Sequence, residues 1–281
     1  MSGSGLRERL KLRRTLVLPG AHNAFTARLI ERAGYDGAYL SGAALSNSMG
    51  VPDDGTLGLS DFAYAARAIC KGLTIPVVCD ADTGFDDVEK TVKTYIECGV
   101  AGIQIEDQRF PKRCGHLPGK EVVSREEMIA RICAADGARC ALNRDFLLIT
   151  RTDVRSAANI AEENQLGESI ERGKAYRAAG ADVIFPESLR DRGEFVKYRE
   201  AVSGWLLANM TEFGTTPLIR WQEFEEMGFN IVIFPVTLFR LAAGRMAEAL
   251  EVLRKEGHQG TILREMMPRD EINRLLKYQP K

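Results

Sequence analysis

The chain has 281 residues, with 38 Lys and Arg against 39 Asp and Glu, so its net charge at pH 7 is −1. This balance argues against a basic surface for nucleic acid and against a polybasic membrane anchor. Hydrophobic residues make up 45% and charged residues 27%, which excludes wholesale disorder, and no apolar run approaches the roughly 20 residues that span a bilayer.

Eight short apolar segments rich in Val, Ile, Leu or Phe predict eight β-strands. None alternates strictly with polar residues, which is typical of strands covered on both faces. In chain order they are 15–20, 37–42, 76–82, 102–107, 146–151, 182–187, 205–210 and 231–236. The patterns between them predict helices, with Ser60 as a candidate N-cap and Ser124 and Glu127 as a capping box. The clearest of these helices are 24–34, 60–72, 86–99 and 124–137.

Strand followed by helix, eight times in about 240 residues, predicts an α/β protein with a (β/α)8 barrel of the TIM type. A doubly wound open sheet is the main alternative, but no G-x-G-x-x-G follows the first strand. Because no low-complexity linker interrupts the alternation, residues 1–281 are predicted to form one domain. Residues 238–281 form a C-terminal extension with helices at 238–256 and about 260–277. One of these helices closes the barrel, and the surplus one is expected to pack on a neighbouring subunit.

Charged and polar residues end the predicted strands, where the active site of such a barrel forms. They are Ser41, Gly42, Asp80, Asp82, Glu106, Asp107, Arg151, Glu187, Asn209, Thr211 and Glu212. Several carboxylates in one cleft repel each other strongly, and a hard divalent cation with oxygen ligands would relieve this repulsion.

Asp80 and Asp82, joined by Glu106 from the next strand, are therefore predicted to hold Mg²⁺ or Mn²⁺. Strand alternation would turn both aspartates toward the mouth. The alternative for these two residues is a strand-end turn in which Asp82 caps the helix that starts near Asp86. Three histidines in the whole chain argue against a His-built zinc site.

The segment KRCGH at 112–116 places Cys114 among cationic neighbours, of which Lys112 and His116 are two. Such neighbours favour the thiolate, so Cys114 is predicted to act as a nucleophile or general acid–base. The other five cysteines are predicted to be small buried residues. They are Cys70, Cys79, Cys98, Cys133 and Cys140. Scattered cysteines in a long chain, together with an N-terminus that lacks an apolar signal segment, predict reduced thiols in a cytoplasmic protein.

Arg151 ends the fifth predicted strand, where a guanidinium can clamp a carboxylate through two parallel N–H bonds. A structural salt bridge to Asp153 or Glu187 is the alternative.

Seven segments together carry a resemblance to a known family. They are SGAALSNSMGVPD (41–53), DADTGF (80–85), IEDQRFPKRCGH (105–116), RTD (151–153), FPES (185–188), NMTEFGTTPL (209–218) and FPVTLFR (234–240). In register from about residue 10 to 275, the chain resembles the isocitrate lyase / phosphoenolpyruvate mutase superfamily, and within it the methylisocitrate lyase branch.

The resemblance implies a Mg²⁺-dependent lyase that cleaves a C–C bond of a 2-hydroxy acid, here 2-methylisocitrate, to pyruvate and succinate. It implies metal ligation by Asp80 and Asp82, with Glu106 in the outer shell. It implies that Cys114 delivers a proton to the succinate-like fragment, with Lys112, His116 and Arg151 in the catalytic set. The substrate-binding positions that it implies are Ser41, Gly42, Asp53, Gly115, Arg151, Phe185, Glu187, Asn209, Thr211 and Arg240.

The resemblance also separates the branches of the superfamily. Phosphonomutases generally lack the C-G-H segment, and isocitrate lyases are longer and carry tryptophan near the position of Phe185. Phe185, with Ile233 and Pro235, would leave room for the methyl group that distinguishes 2-methylisocitrate from isocitrate. The loop between Ser41 and Asp53 is one residue shorter than is usual in the branch, so three related activities stay open. These are cleavage of 2,3-dimethylmalate, hydrolysis or decarboxylation of oxaloacetate, and carboxyphosphonoenolpyruvate mutase chemistry.

The alternative to an enzyme is a non-catalytic barrel that binds a partner. This alternative predicts that one of the metal-binding or acid–base residues would be missing from the sequence. The resemblance further implies a homotetramer of dimers that exchange their last helices, and a place in propionate catabolism through the methylcitrate cycle.

Overall fold

The structure, a computed structural model, describes residues 4–12, 14–112 and 119–279. In these ranges the chain forms eight strands, which confirm the eight predicted segments, with every strand end within two residues of the predicted one. They are β1 Leu16–Pro19, β2 Ala38–Leu40, β3 Val77–Asp80, β4 Gly102–Glu106, β5 Leu147–Thr152, β6 Val183–Pro186, β7 Trp205–Asn209 and β8 Ile231–Phe234.

All strand pairs are parallel, in the order β1-β8-β7-β6-β5-β4-β3-β2. A parallel bridge between Gly20 and Tyr39 joins the two end strands, and the Ala21 N–H donates to the Tyr39 carbonyl at 2.8 Å. A Cβ at Gly20 would lie 1.9 Å from the Pro235 carbonyl oxygen, so the close approach of β1 to the end of β8 requires glycine. The predicted (β/α)8 barrel is therefore confirmed.

The helices surround this barrel. They are α1 Ser4–Lys11, α2 Ala24–Arg32, α3 Gly42–Ser48, α4 Leu59–Cys70, α5 Val88–Glu97, α6 Arg125–Leu142, α7 Glu162–Ala178, α8 Arg192–Ala201, α9 Trp221–Glu226, α10 Thr237–Glu256 and α11 Arg269–Leu275. Short 3-10 helices lie at Val154–Ser156 and Gly260–Glu265. Among the described helices, none is long and apolar enough to cross a bilayer.

One predicted helix cap is wrong, and the alternative role of Asp82 as a cap is not observed. Ser60 does not cap α4, because the helix begins at Leu59 and the Asp61 carboxylate accepts the Gly58 N–H at 2.9 Å. Asp82 does not cap α5, because Asp87 takes that role and accepts the Lys90 N–H at 3.0 Å.

Ser124 caps α6 as predicted, with its hydroxyl accepting the Glu127 N–H at 3.1 Å. The Glu127 carboxylate pairs with Arg131 at 2.5 Å, so its side chain turns along the helix.

Alternate residues along each strand pack on opposite sides of the barrel wall. The outward set packs against the surrounding helices, whereas the inward set forms a separate core that includes Leu18, Ile149 and Ile231. Leu6 and Leu10 of α1 belong to the inner core, and Arg7 of α1 pairs with Asp182 at 2.7 Å just before β6. Helix α1 therefore closes the end of the barrel opposite the strand C-termini, which leaves the other end for the site.

The C-terminal extension differs from its prediction in one respect. The predicted helix 260–277 is broken into the 3-10 helix and α11, with Pro268 as the N-cap of α11. None of the 20 residues of α10 is buried. The single-domain boundaries stay a prediction.

The five described cysteines are free thiols. Cys79 and Cys98 are buried and Cys70 is intermediate, but Cys133 and Cys140 are exposed, so the prediction of burial is wrong for these two. Both lie on α6, on parts of the helix surface that face away from the barrel wall.

Candidate active site

A cavity of about 170 Å³ opens at the C-terminal ends of the strands. It brings together most of the residues predicted from the strand ends and motifs. Those that line it are Ser41, Asp53, Asp80, Glu106, Lys112, Arg151, Phe185, Glu187, Asn209, Thr211 and Arg240. Cys114, Gly115 and His116 lie outside the described residues, so their predicted roles stay predictions.

Asp80 is fixed by two backbone donors. Its Oδ1 accepts the Asp82 N–H at 3.1 Å and its Oδ2 accepts the Gly42 N–H at 3.2 Å. Strand β3 ends at Asp80, and Asp82 has a left-handed backbone with φ of 47°. Strand alternation therefore does not extend to Asp82, and a strained turn orients this carboxylate instead.

Lys112 lies between two carboxylates. Its Nζ is 2.7 Å from Asp82 Oδ1, and it also forms a close ion pair with Asp53. Burial alone would lower the pKa of Lys112, but Asp82 and Asp53 raise it well above its usual value, so the ammonium stays charged. Burial raises the pKa of Asp82 to about 7, against the opposing effect of Lys112.

Glu106 is buried, and its two oxygens have different environments. Its Oε2 lies 3.2 Å from Arg151 Nη1, whereas its Oε1 has no hydrogen-bond partner among the described residues. Burial raises the pKa of Glu106 well above its usual range, and burial likewise raises the pKa of Asp80. Burial thus disfavours the ionised form of both carboxyl groups, and a bound divalent cation would favour it.

Within 4–12, 14–112 and 119–279, no three His, Cys, Asp or Glu side chains converge closely enough to ligate one ion. Mg²⁺ usually keeps several of its waters and binds through one or two carboxylates, so a fully protein-made cage is not required. The oxygen-only donor set and the unpartnered Glu106 oxygen fit such an ion. Ligation by Asp80, Asp82 and Glu106 remains a prediction.

Arg151, which lines the cavity, contacts three carboxyl groups. Its Nη2 lies 2.8 Å from Asp153 and its Nε lies 3.6 Å from Glu187, in addition to the contact with Glu106. The alternative of a salt bridge to Asp153 or Glu187 is thus confirmed. Arg151 nevertheless lines the cavity, and its guanidinium lies 5.5 Å from the centre of the Phe185 ring. The buried guanidinium is therefore also placed to meet a ligand carboxylate.

Asn209, Thr211 and Arg240, which also line the cavity, carry amide, hydroxyl and guanidinium groups. Asn209 Nδ2 donates to Glu187 Oε2 at 3.2 Å. Arg240 Nη1 donates to the Glu212 carbonyl at 2.5 Å and to Thr211 Oγ1 at 3.4 Å. The cavity lining thus combines the carboxyl groups of Asp80 and Glu106 with the amide, hydroxyl and guanidinium groups of Asn209, Thr211 and Arg240.

Three buried residues around the cavity were not predicted from the sequence, namely Tyr39, Gln104 and Lys120. Tyr39 donates to Gln104 Oε1 at 2.8 Å beneath the carboxylates. Lys120 Nζ lies 2.6 Å from Asp153 Oδ1. Tyr39 stands two residues before Ser41 and Gln104 two residues before Glu106, so counting alternate residues back along the strand from each predicted site residue would have found both.

Comparisons with known proteins bear on this site. The phosphoenolpyruvate phosphomutase family model matches residues 6–254. The chain is 43% identical over 279 residues to 2-methylisocitrate lyase of Aeropyrum pernix, covering 98% of this chain and 87% of that protein. It is 40% identical over 275 residues to 2,3-dimethylmalate lyase of Eubacterium barkeri, covering 96% and 92%.

Solved structures show the same architecture. A crystal structure of 2,3-dimethylmalate lyase, a member of the PEP mutase/isocitrate lyase superfamily, matches with a TM-score of 0.90 at 36% identity, covering 98% of this chain and 91% of that chain. Phosphonopyruvate hydrolase in complex with oxalate and Mg²⁺ matches with a TM-score of 0.86 at 29% identity, covering 99% and 95%.

Proposed function

The chain belongs to the phosphoenolpyruvate mutase/isocitrate lyase superfamily, and on that premise we propose that it is a carbon–carbon lyase that cleaves 2-methylisocitrate to pyruvate and succinate. The observation that carries the proposal is one cavity that combines Asp80, Glu106 and Arg151 with the apolar side chains of Phe185 and Ile233. A tricarboxylic acid with one extra methyl group needs both kinds of surface.

The apolar part of the cavity supports the choice of acid. Phe185, Ile233 and Pro235 all line the same cavity, as the resemblance implied. Phe185 is buried and its ring packs against the Arg151 guanidinium, so its position is fixed. These side chains form the surface on which a substrate methyl group would rest.

We assign the 2-oxo-acid portion of the substrate to Ser41, Gly42 and Arg151, of which Ser41 and Arg151 line the cavity. The Arg151 fork would hold one carboxylate, and Asp53 and Lys112 line the same cavity. We assign the succinate-like portion to Glu187, Asn209, Thr211 and Arg240, together with Gly115 and His116. Cys114 would deliver the proton to this fragment after the bond breaks.

We propose Mg²⁺ as the metal, with Mn²⁺ as a substitute, held by Asp80 and Asp82 with Glu106 nearby. The Mg²⁺ in the related phosphonopyruvate hydrolase structure supports this choice. When bound, the ion would supply positive charge against the negative charge that develops on the substrate oxygen. Lys112, charged and paired with Asp82 and Asp53, would compensate part of the same carboxylate charge.

Cleavage of 2,3-dimethylmalate is the second candidate activity, because that relative's identity of 40% is close to the 43% of the 2-methylisocitrate lyase. The two substrates share a 2-hydroxy acid and an apolar substituent, so the site chemistry would be the same. The test of the proposal is Mg²⁺-dependent release of pyruvate from 2-methylisocitrate, with 2,3-dimethylmalate assayed in parallel.

Enlarging Phe185 tests the methyl-binding surface. Phe185→Trp is expected to lower kcat/KM for 2-methylisocitrate by about 10- to 100-fold, because the larger ring fills the space of the methyl group. Turnover of isocitrate should fall less, so the ratio of the two kcat/KM values is the measurement. Phe185→Leu, which keeps the space open, is the control, and an unchanged ratio in Phe185→Trp would contradict the assignment.

We further propose a homotetramer built from dimers that exchange their last helices. Large apolar side chains of the extension are exposed, and isolated subunits rarely expose so many together. They are Leu241, Met246, Leu250, Leu253, Leu263, Met266, Leu276 and Tyr278. A cytoplasmic location, supported by the five free thiols, and a place in propionate catabolism through the methylcitrate cycle complete the proposal.

A charge on the apolar face of α10 tests this assembly. Leu250 is 65% exposed, so Leu250→Glu should leave the subunit folded while shifting the molar mass in light scattering below that of the wild-type assembly. Lys255→Glu, on the exposed last turn of the same helix, is the matched control and should keep the wild-type mass. A wild-type mass for Leu250→Glu would argue against burial of this face between subunits.

A further inference from the structure

We infer that Lys120 is a positioning residue for Arg151, acting through Asp153 to fix the guanidinium and to leave its positive charge available to an incoming carboxylate. The inference rests on the proposed function only in assigning a substrate carboxylate to Arg151. It adds a buried lysine that does not touch the substrate to the machinery of the site.

The three side chains share one oxygen atom. Asp153 Oδ1 lies 2.6 Å from Lys120 Nζ and 2.8 Å from Arg151 Nη2. The side chains of Lys120 and Asp153 are both 0% exposed, whereas Arg151 reaches the cavity. Neither Lys120 nor Asp153 is among the described residues that line the cavity. Lys120 thus contacts the same carboxylate oxygen that holds Arg151, but from a position outside the cavity lining.

The contact between Lys120 and Asp153 changes the net charge around Arg151. The Arg151 guanidinium lies within 3.6 Å of the carboxyl groups of Glu106, Asp153 and Glu187. A guanidinium that already faces carboxyl groups attracts a further carboxylate less strongly, because like charges at short range repel at low dielectric. The Lys120 ammonium offsets the charge of Asp153, which restores the attraction of Arg151 for an anion.

The surrounding hydrogen bonds hold this arrangement rigidly. The Asp153 N–H donates to Asp107 Oδ1 at 2.9 Å, and Asp107 Oδ2 accepts from Tyr176 at 2.8 Å and from Arg172 at 3.0 Å. The Lys120 carbonyl accepts the Ala158 N–H at 2.8 Å. Because both backbones are anchored, Asp153 cannot swing away from Arg151, and the guanidinium keeps its orientation without a ligand.

The test is a double-mutant cycle with oxalate as the probe. Oxalate binding in the presence of Mg²⁺ is measured by calorimetry for wild type, Lys120→Met, Lys120→Arg, Asp153→Asn and Lys120→Met/Asp153→Asn. Lys120→Met should weaken oxalate binding by about tenfold or more, and Lys120→Arg should restore most of it. In the double variant neither charge is present, so affinity should return to within about threefold of wild type.

Steady-state kinetics with 2-methylisocitrate supply a second readout, in which Lys120→Met should raise KM more than it lowers kcat. Lys174→Met removes an exposed lysine that pairs with Glu171 and serves as the control with unchanged binding. If Lys120→Met does not fold, as judged by circular dichroism, the double variant decides alone. Wild-type-like affinity then supports the inference, and a tenfold loss overturns it.

Wild-type affinity in a folded Lys120→Met, or an equal loss in the single and double variants, would also overturn the inference. Either result would mean that Lys120 only fills space. A wild type that binds oxalate in this pattern but does not cleave 2-methylisocitrate would remove the proposed function and leave the role of Lys120 intact.

Discussion

Asp80→Asn is expected to weaken Mg²⁺ binding by at least about 100-fold and to remove lyase activity. Both oxygens of Asp80 accept backbone N–H groups, from Asp82 and from Gly42. An asparagine amide would turn a donor toward one of these donors, so the substitution removes both a charge and a hydrogen bond.

Calorimetric titration with Mg²⁺ measures the metal affinity directly, and pyruvate release measures the activity. Asp86→Asn is the matched control, because Asp86 lies in the same segment between β3 and α5 with its side chain exposed. Wild-type metal affinity in Asp80→Asn would contradict the assignment of the metal, even if activity were lost.

Arg151→Met is expected to abolish activity and to lower the free energy of unfolding by about 3–5 kcal/mol, because it leaves buried carboxylates without their cationic partner. Arg151→Lys should keep most of the stability, because the charge stays, but should still lose at least about 100-fold in kcat/KM. A point charge cannot replace a planar fork that contacts Asp153 and Glu106 and that would also bind a substrate carboxylate.

Urea unfolding and steady-state kinetics separate the two effects of Arg151. Arg155→Met is the matched control, because Arg155 is also buried and its Nη2 and Nε lie 2.6 Å and 3.0 Å from the Glu194 carboxylate, away from the cavity. It should lower stability comparably and leave the kcat/KM of the folded enzyme near wild type. Full activity in Arg151→Lys would show that Arg151 is a structural salt bridge alone.

The barrel could be predicted from sequence because its signals are local. Apolar runs of strand length without polar alternation are typical of strands covered on both faces, and eight such runs place eight strand ends at one mouth. Once the strands are known, alternation orients Glu106, Arg151, Glu187 and Asn209 into the cavity. All four line it in the structure.

The features that were not predicted depend on turns and contacts outside the strands. Asp82 follows the end of β3 in a left-handed conformation, so its orientation comes from a turn and not from alternation. Lys112 pairs with Asp53, 59 positions earlier in the chain, and no local pattern signals such a contact. Helix α1 gives only a short amphipathic pattern, and its role at the base of the barrel follows from the inner core that it meets.

The central claim is tested most directly by Mg²⁺-dependent release of 2-oxo acid from 2-methylisocitrate, with isocitrate, 2,3-dimethylmalate and oxaloacetate assayed in parallel. Chelation by EDTA and the variant Cys114→Ser are the controls. We predict pyruvate from 2-methylisocitrate at a rate well above that on the other three acids, abolished by both controls. Preferential turnover of another acid would contradict the assigned substrate, and no turnover of any of the four, without metal binding, would contradict the lyase.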